Sequence, residues 1–233
     1  MLDLVFVETS LELVPPEIIR HPSVKRNAKR RGKRAEETLL DRSLHHYAMD
    51  RIPDAEKRGR PDILHFCMLE AMGSPLNRKG HLRLWANTLQ GYHVEVAPST
   101  RPPRDCIRFN GLMEQLFLNG QVPPDSQDPL MRLTKDSLKD FVNRSSPSKV
   151  IALSSHGEES NFPDVAKILS KEDKPMLLIG AYPAGPMKEE TLDLANEVYS
   201  VYPESLEAWT ITSRMVYEYE RAIGLKYKKR KKS

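Results

Sequence analysis

Residues 2–7, Leu-Asp-Leu-Val-Phe-Val, are apolar apart from Asp3, a length and composition that predict a strand buried on both faces. Short apolar runs at 150–153, 176–179 and 198–201 have the same character, and the stretches at 163–169, 188–196 and 205–223 repeat their apolar residues at helical spacing. Strand and helix alternate there. That pattern predicts an α/β fold, with a largely parallel sheet covered by helices on both faces.

The earlier part of the chain is more varied. Pro15-Pro16 interrupts a short helical stretch within 11–19, and helices are expected at 36–49 and 61–72. Pro61-Asp62 opens the second of these, with Asp62 suited to cap it. Strands at 81–89 and 92–97 flank Gln90-Gly91, a hairpin signature. An amphipathic helix is expected after the arginine-rich segment 101–108, a linking loop at 121–129 and a further helix at 130–143. There is no internal repeat, and residues 1–233 read as one domain, with 23–34 as a basic insertion, 81–97 as a hairpin extension and 226–233 as a basic tail.

Composition narrows the partners. With 39% hydrophobic residues, 233 residues can bury a substantial core. The net charge of +4 hides an uneven distribution. Residues 25–34 hold seven Lys/Arg and 226–232 hold six, with no acid in either run; without them 23 bases face 32 acids, a balance of −9. A polyanion would therefore meet the body only through a local patch of named arginines, with the two basic runs as arms that gain affinity by counterion release. Two cysteines, Cys67 and Cys106, form no disulfide framework and suit a reducing cytoplasm. Residues 1–7 read as a strand rather than a secretory leader, and no apolar run is long enough to span a bilayer. His45-His46 and His65 with Cys67 lack a second pair at ligand spacing, so no metal is expected. Nucleotide-hydrolysis and serine-hydrolase signatures are absent.

Two segments carry candidate chemistry. In Arg101-Pro-Pro-Arg104-Asp-Cys-Ile-Arg108 the prolines stiffen the chain, and a polyproline-II path would set Arg101 and Arg104 on one side, roughly 9 Å apart. Guanidinium groups grip phosphate bidentately, although the same three arginines would also serve as carboxylate partners on a solvated face. In Leu178-Ile-Gly180-Ala-Tyr-Pro-Ala-Gly185 a strand ends in glycine and the chain bends at once, so a ligand could lie against main chain; ordinary turn glycines would look alike.

These segments, with Ser10-Leu-Glu-Leu-Val-Pro, Arg58-Gly-Arg-Pro-Asp-Ile63, Ser74-Pro-Leu-Asn77 and Leu206-Glu-Ala-Trp209, follow one another in an order and spacing that resembles the pseudouridine-N1-specific rRNA methyltransferase family of small-subunit ribosome assembly, within the SPOUT superfamily. The resemblance runs nearly end to end and is closer to compact archaeal members than to longer eukaryotic ones. It implies a SPOUT-type sheet, a C-terminal trefoil knot and a homodimer. It also implies S-adenosyl-L-methionine as cofactor, held by Gly180, Gly185, Val201, Tyr202, Pro203, Glu204, Ser205 and Leu206. The substrate it implies is a pseudouridine in a loop or bulge of small-subunit rRNA, gripped by Arg60, Arg101, Arg104 and Arg108, with Asp62 orienting Arg60. Many relatives carry Asp immediately before the Ser-Pro-(Leu/Ile)-Asn motif; this chain has Gly73, so no general base is assigned. Two other readings fit the same residues: a non-catalytic rRNA-binding assembly factor, or a methyltransferase of another SPOUT branch acting on a different base or on tRNA.

Overall fold

The computed structural model describes residues 1–226. In chain order, β1 (Leu2–Thr9) leads to α1 (Pro22–Arg31), α2 (Arg42–Met49), α3 (Pro61–Gly73) and α4 (Pro75–Arg78). Then come β2 (Leu82–Thr88), β3 (His93–Val96), α5 (Cys106–Asn119), β4 (Gln121–Val122), β5 (Met131–Thr134) and α6 (Leu138–Ser145). The C-terminal part comprises β6 (Lys149–Glu159), α7 (Phe162–Ser170), β7 (Pro175–Gly180), α8 (Glu189–Leu192), β8 (Glu197–Ser200) and α9 (Ala208–Ala222).

One eight-stranded sheet runs β4-β5-β3-β2-β1-β7-β6-β8. From β2 through β8 the strands are parallel, whereas β3, β5 and β4 pair antiparallel beyond β2. The alternation of side chains explains the layers. Leu4, Phe6, Leu177 and Ile179 pack with α3, α5, α7 and α9, while Val5, Val7, Met176 and Leu178 pack with α6 and the segment around α8. All of β1 is buried, as its largely apolar run over residues 2–7 predicts, with the buried carboxylates of Asp3 and Glu8 paired by Arg83 and Lys57. A smaller apolar cluster, including Val24, Ala28, Leu40 and Met49, joins α1 to α2.

Several expectations change. The basic stretch 23–34 is largely α1, capped by His21 at one end and by left-handed Gly32 at the other. It does not hang free: Arg31 and Lys33 both bond the buried carboxylate of Glu114. Burial would raise Glu114, but Arg31, Lys33 and the Leu39 N–H outweigh it and hold the carboxyl below its usual range. Of the basic tail, only Lys226 lies within the described residues. The helix expected at 36–49 begins only at Arg42, because Asp41 caps it by accepting from Ser43 N–H.

Residues 130–143 are not one helix. Met131-Arg-Leu-Thr134 alternates inward and outward as a strand beside β3, and Ser137 then caps α6. The helix expected at 188–196 shrinks to the single turn of α8, and the last helix starts at Ala208 rather than 205. The hairpin of 81–97 is present as β2 and β3, with Gly91 at φ 76° in its turn.

Candidate active site

The C-terminal ends of β6, β7 and β8 open into a cleft of about 220 Å³. Gly180 ends β7, and a Cβ there would lie 2.7 Å from the Tyr182 ring, so only glycine leaves that ring its place. Gly185 adopts φ +89°, which side chains strongly disfavour. The register between β6 and β8 breaks after Leu153, and the bulged Ser154 and Ser155 face the cleft. Val201, Tyr202, Glu204, Ser205 and Leu206 complete the wall, leading to the first turn of α9. Of the eight residues expected here, Pro203 alone is not part of the lining. Tyr182, left unassigned by the sequence, is.

Among the described residues the lining includes Glu204 and Glu207 and no Lys or Arg. Main chain, small hydroxyls and negative charge suit a ligand that carries positive charge. A sulfonium with an α-ammonium group has that chemistry, so the residues present fit S-adenosylmethionine.

The loop 182–188 is held from below. Lys57, only 7% exposed, pairs with Glu8 at 2.7 Å, donates to the Pro186 carbonyl, and sits 4.3 Å from the centre of the Tyr182 ring. Glu8 also accepts from the Lys188 N–H at 2.7 Å. Its φ of 51° is unusual for a non-glycine residue, as is common where a site constrains the chain. The sequence gives no periodic or spacing signal for this pair, whose members lie 49 positions apart.

The expected arginines fall at the starts of two neighbouring helices. Arg60 stands at the N-terminal boundary of α3 without a side-chain capping bond, and its guanidinium donates to Asp62, Nε to Oδ1 at 2.8 Å and Nη2 to Oδ2 at 2.7 Å. Asp62 therefore spends its oxygens on Arg60 and does not cap the helix. Hydrogen bonding by Asp62 raises Arg60 first, against burial, and the charges of Asp62, Glu207 and Asp41 add to it. Ile63, in the first turn of α3, lines the cleft, which brings the start of that helix to its rim. Arg101 is exposed and donates to the Thr100 carbonyl at 2.8 Å, and Arg104 and Arg108 are exposed. No carboxylate pairs with any of these three among the described residues, so the solvated ion-pair alternative does not hold for them.

Helix α5 is fastened to α3 through His65, whose Nε2 lies 2.6 Å from the Pro103 carbonyl and whose ring stacks on Phe109 at 4.3 Å. Burial pushes the Cys106 thiol up, helped by the charges of Asp62, Asp41 and Asp105. The segment leading into α5 therefore packs against α3, the helix that begins beside Arg60. Ser10 joins the two halves of the site: its N–H donates to Ala181 in the cleft loop, and its Oγ accepts from Arg60 N–H at 2.9 Å. Glu12 takes Arg58 bidentately at 2.6 and 2.7 Å. The motifs Ser10–Pro15 and Arg58–Ile63 are thus two sides of one junction. Trp209 packs on the core with its ring edge-on to Phe66 at 5.2 Å, outside the cleft lining.

Comparison with known proteins agrees with this architecture. The sequence pattern of EMG1/NEP1 methyltransferases matches residues 4–220. A protein of Staphylothermus marinus named ribosomal RNA small subunit methyltransferase Nep1 is 41% identical over 224 residues, 96% of this chain and 97% of its own length. Its namesake from Saccharolobus solfataricus is 41% identical, with 96% and 98% covered. The crystal structure of Archaeoglobus fulgidus Nep1 bound to S-adenosylhomocysteine superposes with a TM-score of 0.83 at 38% identity, covering 94% of this chain and 97% of that one. The chain belongs to the EMG1/NEP1 methyltransferase family.

Proposed function

We propose that this protein is an S-adenosylmethionine-dependent methyltransferase that modifies N1 of a pseudouridine in small-subunit rRNA and so contributes to ribosome biogenesis. Family membership and the S-adenosylhomocysteine-bound relative support the reaction class, the cofactor and the rRNA substrate. The observation that carries the reading is the junction at Ser10, which ties a carboxylate-lined, glycine-walled cleft to the end of α3 that presents Arg60.

Bound in the cleft, S-adenosylmethionine would supply an electrophilic methyl group. Gly180, Gly185, Val201, Tyr202, Glu204, Ser205 and Leu206 would hold it in the cleft, with the charges of Glu204 and Glu207 favouring its positive charge. Arg60, Arg101, Arg104 and Arg108 grip phosphates around a base that must leave its stack to reach the methyl group. The protein's share of the catalysis is alignment and exclusion of water. Gly73, at the C-terminal end of α3 where many relatives carry Asp, supplies no carboxylate, so no general base is assigned and the N1 proton passes to solvent or to another acid. The SPOUT resemblance further supports a trefoil knot in the C-terminal part and a homodimer, which equilibrium sedimentation tests. We place the protein in the cytoplasm, where the free thiols of Cys67 and Cys106 persist.

The deciding experiment offers purified protein and labelled S-adenosylmethionine two hairpins that differ only in carrying uridine or pseudouridine. Methylation of the pseudouridine hairpin alone is expected. Equal methylation of both removes the substrate assignment, and no binding heat with S-adenosylmethionine would favour the non-catalytic assembly factor.

A further inference from the structure

A second cleft, of about 400 Å³, lies across the sheet from α3 and α5. Side-chain alternation places it there: Leu84, Val94, Val96 and Met131 face the core beneath those helices, so Arg83, Trp85, His93, Glu95 and Arg132 point to the other side, under α6. Its floor is a block of rings. His93 lies 5.5 Å from Trp85 and 4.2 Å from Phe141, and Trp85 lies 4.9 Å from Phe141.

Four cations surround that floor: Arg83, Arg132, Arg144 and Lys174. Arg83 is oriented by Asp3, with Nη2 to Oδ2 at 2.6 Å, and Arg144 is paired with Asp136. Arg132 stands across the strand pair from Glu95, but neither it nor Lys174 makes a carboxylate ion pair among the described residues. Asp3, Glu95, Asp136 and Asp140 balance the four cations in number, so it is Arg132 and Lys174, without a carboxylate ion pair among the described residues, that are left to meet an anion.

His93 is 3% exposed, and neither of its ring nitrogens has a hydrogen-bond partner among the described residues. A buried polar group left unsatisfied costs free energy, which a donor or acceptor entering the cleft would offset. Burial pushes this imidazole down to about 4, so near neutral pH it is uncharged and offers one donor and one acceptor. The half-buried face of Trp85, oriented guanidinium groups and a neutral hydrogen-bonding ring at the bottom of the cleft together match an unpaired nucleotide, with its base against Trp85 and its phosphates on the rim.

We propose that this cleft is a second RNA-contact site, which takes a single-stranded nucleotide of the rRNA outside the methylated loop. The proposal rests on the reading of the protein as an rRNA methyltransferase, and extends its footprint to the face of the sheet away from the arginines of α3 and α5.

The test compares the full chain with an R132A/K174A double variant, both substitutions being on the rim. Each is titrated, at several salt concentrations, with a hairpin holding only the target loop and with a longer rRNA fragment that keeps its single-stranded flanks. The variant should bind the longer fragment about tenfold more weakly, with a salt slope smaller by about 1.4, as expected for two lost single-strand phosphate contacts. Binding and methylation of the short hairpin should not change. Equal affinity for the long fragment, or the same loss on both RNAs, overturns the site.

A second measurement does not depend on methyl transfer. In a Trp209→Phe chain Trp85 is the only remaining tryptophan. Saturable quenching of its fluorescence by a ten-nucleotide single-stranded RNA, lost in the double variant, supports the site even if the hairpin is never methylated. No quenching, or equal quenching by inorganic polyphosphate, which has no bases, sinks it.

Discussion

Lys57 Nζ lies 2.7 Å from Glu8 Oε2 in the interior, and the same ammonium holds the Pro186 carbonyl beneath the cofactor loop. Breaking a buried pair by removing one partner typically costs about 3–5 kcal/mol, because the other charge is stranded. Lys57→Met should therefore lower the melting temperature and weaken S-adenosylmethionine binding at least about tenfold, while hairpin affinity stays near wild type. Adding Glu8→Gln should restore part of the stability, since no charge is then stranded, but not cofactor affinity, because Pro186 remains unheld. Calorimetric titration of both variants checks this. A single variant that binds cofactor normally would show that the pair only supports the fold.

Gly185→Val meets two obstacles at once. Its φ of +89° is disfavoured for a β-branched residue, and the first added carbon would approach Lys57 Cε at 3.3 Å. The loop must then shift at the wall of the cleft. Cofactor affinity should fall by more than about tenfold with RNA affinity retained, which separate titrations resolve. Loss of both in equal measure would mean that the two halves of the site are not independent.

The parallel core was legible because strands buried on both faces leave nearly continuous apolar runs such as residues 4–7 and 176–179. Residues 130–143 misled because Met131, Leu133, Leu138, Phe141 and Val142 together imitate helical spacing. Pairing of β5 with β3 decides the first part as a strand, and that partner is remote in sequence. The basic run 25–34 looked like an arm because charge dominates it. Val24, Asn27 and Ala28 nonetheless form a buried face, and Glu114, more than eighty positions away, neutralises its end. For the site, glycines and arginines were visible as residue types in ordered motifs. The Ser10 and Lys57 contacts that connect them exist only after folding, and no local pattern encodes them.

Arg104 and Arg108 are exposed and make no carboxylate ion pair among the described residues, so their replacement by Ala should leave the fold intact. Each charge-assisted contact to RNA is worth roughly 1.5–3 kcal/mol, or about 10- to 150-fold in affinity. Asp62→Asn tests orientation rather than charge delivery. It keeps a side chain beside Arg60 but removes the two-oxygen clamp, and because Asp62 caps nothing, helix α3 should hardly notice. Anisotropy with a labelled hairpin should show weaker binding for all three, beside melting temperatures close to wild type. An Asp62→Asn protein with full RNA affinity would mean that Arg60 needs no clamp.

Acid should destabilise the protein before its carboxylates titrate. His93 is pushed from its ordinary 6.5 to about 4, mainly by burial, with Arg144 acting in the same direction and Asp136 against it. Above pH 6.5 neither the folded nor the unfolded chain protonates this ring. As pH falls below 6.5 the unfolded chain gains a proton that the folded chain refuses, so stability declines until about pH 4, by an amount of order 3 kcal/mol. His45 adds to the same slope: burial lowers it as well, and its ring is engaged by Asn27 and the Asp41 N–H. Glu114, held below its usual range, extends the loss at still lower pH. His93→Phe keeps the ring stack and removes the titrating group. Melting temperatures measured from pH 7.5 to 4 should therefore fall less steeply in the variant, with the remaining slope due to His45 and, toward pH 4, to carboxylates such as Glu114. Identical profiles would mean that His93 accepts a proton inside the folded protein, and that the cleft it faces admits water to its nitrogens.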